Sequence, residues 1–223
     1  MTEPQEHNIL PFRDRAEAGR MLGSALSAYA GQPDLVVLAL PRGGVPVGYE
    51  VPRALGAPLD IFVVRKLGVP GNAELAMGAV APGGVCILRE EIIAEVGIPA
   101  DRVAAIAAHE EETRRESEAL YRHNLPAQAI AGVTVVLVDD GIATGATLRA
   151  AIAALRRLQA RRIVVAAPVV PASARHELEA LADQMVCLAV PEIFFTVGQW
   201  YVNFEQVSDE KVAALLEQLS TTV

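Results

Sequence analysis

Short apolar runs alternate with amphipathic stretches along most of the chain. Short, mainly apolar runs of strand length occupy residues 35–40, 59–64, 133–138, 163–167 and 185–189. Apolar positions at helical spacing predict helices over residues 13–29, 44–55, 146–158 and 172–182. Pro46 and Pro52 are expected to break the second of these helices early. Strands that are apolar throughout are typical of parallel sheets covered on both faces, so the pattern predicts an α/β fold with a doubly wound parallel sheet.

The middle of the chain interrupts this alternation. Residues 67–84 are rich in Gly, Pro and Ala, which is typical of turns, and a short strand is predicted at Val85–Leu88. A long polar helix is predicted over Ala100–Tyr121, because acidic residues stand four positions before arginines along it. We therefore expect a single domain over residues 1–223. Its parts are a core at about 10–66 and 131–190, an inserted region at about 67–130 and a C-terminal appendage at about 190–207.

Charge and composition narrow the classes of function. The formal net charge is −8, and Lys66 and Lys211 are the only lysines of the sequence, which argues against a broad basic face for nucleic acid. Cys86 and Cys187 each lie in an apolar run, so they are expected in the core rather than in a disulfide. The first 15 residues are polar and acidic, unlike a signal peptide, and no apolar run approaches the ~20 residues that span a bilayer. We expect a soluble cytoplasmic protein without membrane contact.

The segment VVLVDDGIATGAT, at residues 135–147, holds the candidate chemistry. Asp139 and Asp140 directly follow a predicted strand, at the sheet edge where open parallel sheets bind ligands. Adjacent carboxylates repel each other, so sugar hydroxyls, a cation or both are expected beside them. The small residues that follow enter a helix N-terminus, whose N–H groups suit a phosphate, and Thr144 and Thr147 add hydroxyl donors. Helix capping by Asp140 or Thr144 is the alternative, but a cap needs only one such residue.

This segment resembles the signature of the type I phosphoribosyltransferases, which bind 5-phosphoribosyl-1-pyrophosphate (PRPP). The likeness covers four apolar residues, two acids, three variable positions and the TGxT that follows. It implies that Asp139 and Asp140 hold the ribose hydroxyls and, together with ligand oxygens, the cofactor Mg²⁺. It also implies that the 5-phosphate is bound by Ala143, Thr144, Gly145, Ala146 and Thr147.

Two further segments fit this resemblance. Pro41-Arg42-Gly43-Gly44 follows the first predicted strand, where the family has its pyrophosphate loop. Arg42 and Gly43 are therefore expected to contact pyrophosphate, with an ordinary surface turn as the alternative. Arg65 and Lys66 end the second predicted strand and are expected to bind pyrophosphate as well, Lys66 in a catalytic role, although charged pairs are common at any strand exit. The Gly/Pro-rich stretch after them would be a mobile catalytic loop that excludes water.

The C-terminal appendage, PEIFFTVGQWYVNF, contains half of the chain's aromatic residues. It resembles the hood, a small subdomain that in this family covers the site and receives the base. Phe195, Trp200 and Tyr201 are the candidate base contacts, because aromatic faces stack on planar heterocycles. The alternative is that these rings only anchor the segment to the core.

The resemblance implies a homodimer that uses Mg²⁺ to transfer ribose 5-phosphate from PRPP to a nitrogenous base with release of pyrophosphate. Ala143 stands where the 6-oxopurine enzymes of the family carry an aspartate, which argues against a usual hypoxanthine or guanine enzyme. The base therefore stays open, and we expect a branch apart from the well-known salvage enzymes. The alternative is a regulatory protein that binds PRPP or a nucleotide and kept the fold without turnover.

Overall fold

A computed structural model of the protein describes residues 11–123 and 125–220. The helices are α1 (Arg15–Ala25), α2 (Gly44–Leu55), α3 (Glu90–Val96), α4 (Ala100–Arg122), α5 (Ala146–Arg157), α6 (Ala172–Glu179) and α7 (Asp209–Ser220). The strands are β1 (Leu35–Ala39), β2 (Leu59–Ile61), β3 (Arg65–Val69), β4 (Asn72–Ala81), β5 (Val85–Leu88), β6 (Thr134–Val138), β7 (Arg162–Val169) and β8 (Gln184–Ala189). No helix within this described part of the chain is long and apolar enough to cross a membrane.

Five parallel strands form the central sheet, in the order β2-β1-β6-β7-β8. β1 and β6 pair over their whole lengths, from Leu35 with Thr134 to Ala39 with Val138. The chain proceeds to one side from β1 to β2 and to the other side from β6 to β8, so the strand order reverses between β1 and β6. In sheets of this kind, ligands bind beyond the carboxyl ends of the strands at the point of reversal. The predicted doubly wound parallel sheet is confirmed.

Both faces of β1 and β6 are buried, which explains their almost wholly apolar sequences. Val36, Leu38 and Leu137 pack in one cluster with α5 and α6, whereas Val37 and Val136 pack in another with α1 and α2. Alternate residues of a strand point to opposite faces, so both sets of side chains on these strands are buried, and all of them except Thr134 are apolar. Full burial of each such side chain contributes about 1.5–3 kcal/mol to folding.

α2 is continuous, which corrects the expected early break at Pro46 and Pro52. Pro46 lies in the first turn, where backbone N–H groups have no partner within the helix, so the missing N–H is tolerated. Pro52 lies in the last turn, and the helix ends soon afterwards at Gly56, which has a left-handed φ of 66°. α2 therefore runs without interruption from the loop that follows β1.

The inserted region builds a small second sheet, so most of the stretch predicted as turns is in fact β3 and β4. These strands and β5 form an antiparallel sheet, and α3 and α4 pack on one of its faces around Leu67, Met77 and Val103. The other face lies against the core cluster of α5, which Ile87 joins. Small residues fit this crowded sheet, since a Cβ on Gly78 would lie 2.3 Å from the carbonyl oxygen of Ile87.

The second core strand ends earlier than predicted, at Ile61. Phe62 and Val63 are nevertheless buried, so their apolar character reflects core packing and not strand pairing. As a consequence, Arg65 and Lys66 do not end this strand but open β3 of the inserted sheet. The prediction that they end the second core strand is therefore wrong.

The C-terminal helix α7 was not predicted. Its Val212 and Leu215 pack in one cluster with Ile61 of the edge strand β2. The hydroxyl of Tyr121, at the end of α4, donates to Asp209 Oδ1 at 2.7 Å. α7 thus joins the inserted region to the edge of the central sheet.

Candidate functional site

Two loops meet where the strand order reverses. One follows β1 and contains Arg42 and Gly43, and the other follows β6 and contains Asp139 and Asp140. Glycine permits their close approach, because a Cβ on Gly43 would lie 2.2 Å from Asp140 Oδ2. The Pro41–Arg42 peptide bond is cis. The predicted pyrophosphate loop and the predicted ribose acids therefore adjoin each other.

Asp139 and Asp140 form an acid pair whose cationic partner within the described chain is Arg15. The Asp140 amide donates to Asp139 Oδ1 at 2.9 Å, and Nε of Arg15 lies 2.8 Å from Asp140 Oδ2. Burial and the adjacent Asp140 charge raise the pKa of Asp139 well above its ordinary value. Burial also raises the pKa of Asp140, against the opposing effect of Arg15. Two acids with one such cation suit a site that binds hydroxyl donors or a metal cation.

The loop that leads into α5 has a buried base and an exposed tip. Ile142 is buried, and its amide donates to a carbonyl oxygen of β7 at 2.9 Å. Ala143 and Thr144 are exposed at the tip. Gly145, with φ of 70°, turns the chain into α5, which begins at Ala146. The first N–H groups of a helix have no carbonyl partner within it, so the start of α5 offers donors beside the exposed tip.

Arg149, one turn into α5, braces this loop. Its Nη1 donates to the Thr144 carbonyl oxygen at 2.8 Å and to Glu177 Oε2 of α6 at 2.9 Å. The Ala146 amide donates to Thr144 Oγ1 at 3.5 Å, and Thr147 is half-buried in the first turn. The structure therefore brings the five residues predicted to bind the 5-phosphate together on one braced turn.

The guanidinium group of Arg42 lies near the start of α7. Its Nη1 lies 3.7 Å from Asp209 Oδ1, and its side chain is 43% exposed. Ion pairs this long and this exposed contribute little to stability. Arg42 is therefore not fixed in place by Asp209 and can turn toward a ligand beside Gly43.

Arg65 and Lys66 of β3 differ in their surroundings. Nε and Nη2 of Arg65 both lie 2.8 Å from Glu110 Oε2 of α4. Lys66 lines a cleft of about 480 Å³ between the inserted sheet and α5, together with Ala146 and Arg149. The structure thus brings Lys66 near the start of α5, whereas Arg65 is held by α4.

Tyr201 is a packing residue of the hood, the segment at about residues 190–207. It is buried between Phe12 and Phe204, whose ring centroids lie 5.5 and 5.1 Å from its own. Its hydroxyl donates to the carbonyl oxygen of Asp140. Because neighbouring rings surround it, this position corrects the expectation that Tyr201 contacts a base.

The other two predicted hood residues are more accessible. Phe195 is 80% exposed. Trp200 stacks on Phe194 with ring centroids 6.4 Å apart, and its indole Nε1 is buried without a hydrogen-bond partner among the described residues. Phe195 and Trp200 therefore stay the candidate contacts to a planar ligand.

Sequence reasoning missed Arg15, which contacts the acid pair from the start of α1. The surrounding Arg13-Asp14-Arg15 run carries no motif, and charged residues before a helix are common in any protein. The available signal was the helix start itself, where Asp14 accepts a hydrogen bond from the Glu17 amide at 2.8 Å. That signal places the helix but does not point to a ligand site 125 residues away in the chain.

Comparison with known proteins gives the same family as the motif. The family model of the phosphoribosyl transferase domain matches residues 12–205, a range that includes the acid pair and the hood. The chain belongs to the phosphoribosyl transferase family. A protein of Mycobacterium tuberculosis strain H37Rv, provisionally named as a phosphoribosyl transferase, is 43% identical over 208 residues, and its counterpart in strain CDC 1551 gives the same values.

The extent of these matches differs between relatives. The alignment covers 93% of this chain but 46% of each M. tuberculosis protein, so the chain spans about half the length of these curated relatives. The crystal structure of the protein TT1426 from Thermus thermophilus is 42% identical, with a TM-score of 0.84, and the match covers 94% of this chain and 99% of that chain. The same fold is therefore present in an experimentally solved relative over almost its whole length.

Asp139→Asn is expected to stabilise the ligand-free protein at neutral pH. Because the folded-state pKa of Asp139 is raised, the folded protein binds this proton more tightly than the unfolded chain does. Proton binding by Asp139 therefore stabilises the folded protein. This stabilisation is fully present below the pKa of about 4 in the unfolded chain and is lost as the pH rises toward the pKa in the folded protein. Asn is neutral and keeps an acceptor for the Asp140 amide, so the variant avoids this loss. Thermal unfolding from pH 4 to pH 8 measures the difference.

At pH 8, the free energy of unfolding should rise by about 1.4 kcal/mol for each unit by which the pKa of Asp139 is raised, and this difference should shrink toward pH 4. Glu112→Gln, which neutralises an exposed carboxylate on α4, is the matched control and should show no such trend. A lower Tm for Asp139→Asn at pH 8, or a difference independent of pH, would contradict the assignment of a destabilising buried charge.

Proposed function

We propose that the protein transfers ribose 5-phosphate from PRPP to a nitrogenous base and releases pyrophosphate. One observation carries this proposal: an acid pair, with Asp140 buried and Asp139 half-buried, adjoins an exposed small-residue turn at a helix start, at the strand-order reversal. Carboxylates accept hydrogen bonds from neighbouring hydroxyls, and N–H groups at a helix start bind phosphate. A ribose 5-phosphate carries both groups in one molecule.

The acid pair also fits Mg²⁺. Magnesium prefers oxygen ligands and is usually held by one or two carboxylates, with water and substrate phosphate completing its coordination. Asp139 and Asp140 offer two carboxylates against the single charge of Arg15 in the described chain. When bound, the ion would neutralise charge that develops on the leaving pyrophosphate.

Arg42, Gly43 and Lys66 are assigned to the pyrophosphate. Gly43 lets the backbone approach the ligand closely, and the Arg42 guanidinium offers a planar fork of donors for phosphate oxygens. Lys66 adds a compact positive charge near the start of α5. Arg65 has to leave its ion pair with Glu110 to join them, so we assign the catalytic role to Lys66.

The protein's part in the reaction is to position the substrate and stabilise charge. Cleavage at C1 of a ribose develops oxocarbenium character, as in glycoside hydrolysis. The acid pair would fix the ribose through its hydroxyls and the start of α5 would fix the 5-phosphate, so that C1 is held in place for the acceptor. The β3–β4 hairpin, which turns at Gly71 with φ of 82°, is the segment we assign to closing over the site against water.

The acceptor base is assigned to the hood side of the loop. Phe195 offers an exposed ring and Trp200 an indole N–H without a partner in the described chain. Ala143, at the exposed tip, has no polar atom in its side chain, so polar recognition of the base has to come from other groups. We propose stacking on these rings as the main contact.

Turnover is tested by measuring pyrophosphate release from PRPP and Mg²⁺ with a panel of purine and pyrimidine bases. We expect release with at least one base, and none when Asp139 and Asp140 are both replaced by Asn. Binding of PRPP without release on any base would support the alternative, a PRPP-binding regulatory protein. The absence of both binding and release would contradict the proposal altogether.

A further inference from the structure

Arg15 joins three parts of the molecule through one guanidinium group. Its Nε donates to Asp140 Oδ2 at 2.8 Å, and its Nη1 donates to the carbonyl oxygen of Glu205 at 2.7 Å. Its Cζ lies 3.8 Å from the ring centroid of Phe204. The side chain is 11% exposed, so these contacts are made largely out of water. The start of α1, the acid pair and the hood therefore share this one cation.

The hood and the segment before α1 are also joined through their backbones. The Phe12 amide donates to the Trp200 carbonyl at 2.8 Å, and the Val202 amide donates back to Phe12 at 2.7 Å. The Asn203 amide donates to the Arg13 carbonyl at 2.9 Å. Hydrogen bonds in both directions make the two segments one unit, from which the Arg15 side chain reaches the acid pair.

A guanidinium group suits this position better than an ammonium group would. It is planar, keeps its charge at all relevant pH values and can donate two hydrogen bonds while it stacks on an aromatic ring. The Arg15 group uses all three properties, toward Asp140, Glu205 and Phe204. Asp140 and the hood are therefore connected through one charged side chain.

We propose that Arg15 is a positioning residue that couples the hood to Asp140, so that PRPP binding at the acid pair changes the position of the hood. This inference rests on the proposed function, because it takes PRPP as the ligand of Asp140. Arg15 lies outside the motif loops and gains a role by this inference. The position of the hood, which is assigned to the base, would then depend on whether PRPP is bound.

Trp200 provides the measurement, because it is the only tryptophan of the chain and lies in the hood. PRPP and Mg²⁺ are titrated into the wild type and into Arg15→Gln, and binding is followed by calorimetry and by Trp200 fluorescence. In the wild type, we expect binding and a change in Trp200 fluorescence with the same midpoint. In Arg15→Gln, we expect about tenfold weaker binding, since a charge-assisted hydrogen bond to Asp140 is lost, and no change in fluorescence even at saturation.

Two further variants separate coupling from general damage. Arg13→Gln, which removes an exposed arginine two residues away, should behave as the wild type does. Phe204→Leu removes the stacking ring but keeps the Arg15–Asp140 ion pair, so it should bind PRPP within about twofold of wild type and lose at least half of the fluorescence change. Arg15→Lys keeps the charge and should restore most of the affinity but not the fluorescence change.

The possible failures are distinguishable. No PRPP binding to the wild type would overturn the proposed function and this inference with it. Binding to the wild type without a change in Trp200 fluorescence, or an equal change in Arg15→Gln, would overturn this inference and leave the proposed function standing. If Arg15→Gln fails to fold, an unaltered fluorescence change in Phe204→Leu and Arg15→Lys would overturn the inference in its place.

Discussion

Replacing Asp139 and Asp140 together with Asn is expected to abolish the stabilisation of the protein by PRPP and Mg²⁺. Both carboxylates accept from ribose hydroxyls in our proposal, and the pair supplies the negative charge for the metal ion. Asn keeps the size of each side chain and an acceptor for the Asp140 amide, so the loop should keep its shape. A ligand at a hundred times its Kd stabilises a protein by about 2.7 kcal/mol, which for a chain of this size raises Tm by about 5–10 °C.

Thermal unfolding with and without PRPP and Mg²⁺ measures this effect. The matched control is a double replacement of Glu112 and Glu116 by Gln on α4, which removes the same charge from exposed positions and should keep the full increase in Tm. The site assignment is wrong if the double Asn variant retains most of the wild-type increase. A loss of the increase in the control would show an effect of net charge alone.

Gly43→Ala is expected to weaken PRPP binding by about tenfold while the fold is kept. The added Cβ would lie 2.2 Å from Asp140 Oδ2 and 2.6 Å from its Cγ, so the carboxylate has to leave its position. That movement separates Asp140 from Arg15 and from the ribose hydroxyls that we assign to it. Overpacking of this kind typically costs about 1–3 kcal/mol, of which most should appear here as lost affinity.

Calorimetric titration of PRPP in the presence of Mg²⁺ measures the affinity of this variant. Gly31→Ala is the control, because Gly31 has a φ of 73° and open space around it, far from the acid pair in the described structure. Alanine there strains the backbone by about 1 kcal/mol and should lower Tm without changing the Kd for PRPP. An unchanged Kd in Gly43→Ala would mean that Asp140 does not need its present position to bind PRPP.

The central sheet was predictable because each of its strands is marked by a short apolar stretch of its own sequence. β1 and β6 bury alternate side chains in two different clusters, so their sequences are apolar at every position except Thr134 and stand out from the rest of the chain. The loop at residues 139–147 was predictable for a similar reason. Its acids, its small residues and its helix start follow one another along ten or so positions, and the structure keeps them together on one turn.

The errors arose where the structure depends on distant residues. Gly78 is typical of a turn, yet it lies in β4, where it pairs with Leu67 of β3 and Leu88 of β5. The sequence predicts that Tyr201 contacts a ligand, but the structure packs its ring against Phe12. Arg15 meets Asp140 across 125 positions of sequence, a contact that no local pattern indicates.

α7 is a different case, because its sequence does carry a helical pattern of apolar residues. Val212, Leu215 and Leu216 follow helical spacing, and these are the residues that it buries against the edge of the central sheet. The pattern of this segment predicts a helix as clearly as that of α6 does, so this element could have been found from the sequence.

A crystal structure of the protein with PRPP and Mg²⁺ would show whether the two loops bind PRPP as we propose. We expect the two ribose hydroxyls within hydrogen-bond distance of Asp139 and Asp140, and the 5-phosphate at residues 143–147 beside the start of α5. We also expect the pyrophosphate between the loop of Arg42 and Gly43 and the side chain of Lys66. PRPP bound with its 5-phosphate away from the start of α5, or with its ribose out of reach of both acids, would contradict the proposed site.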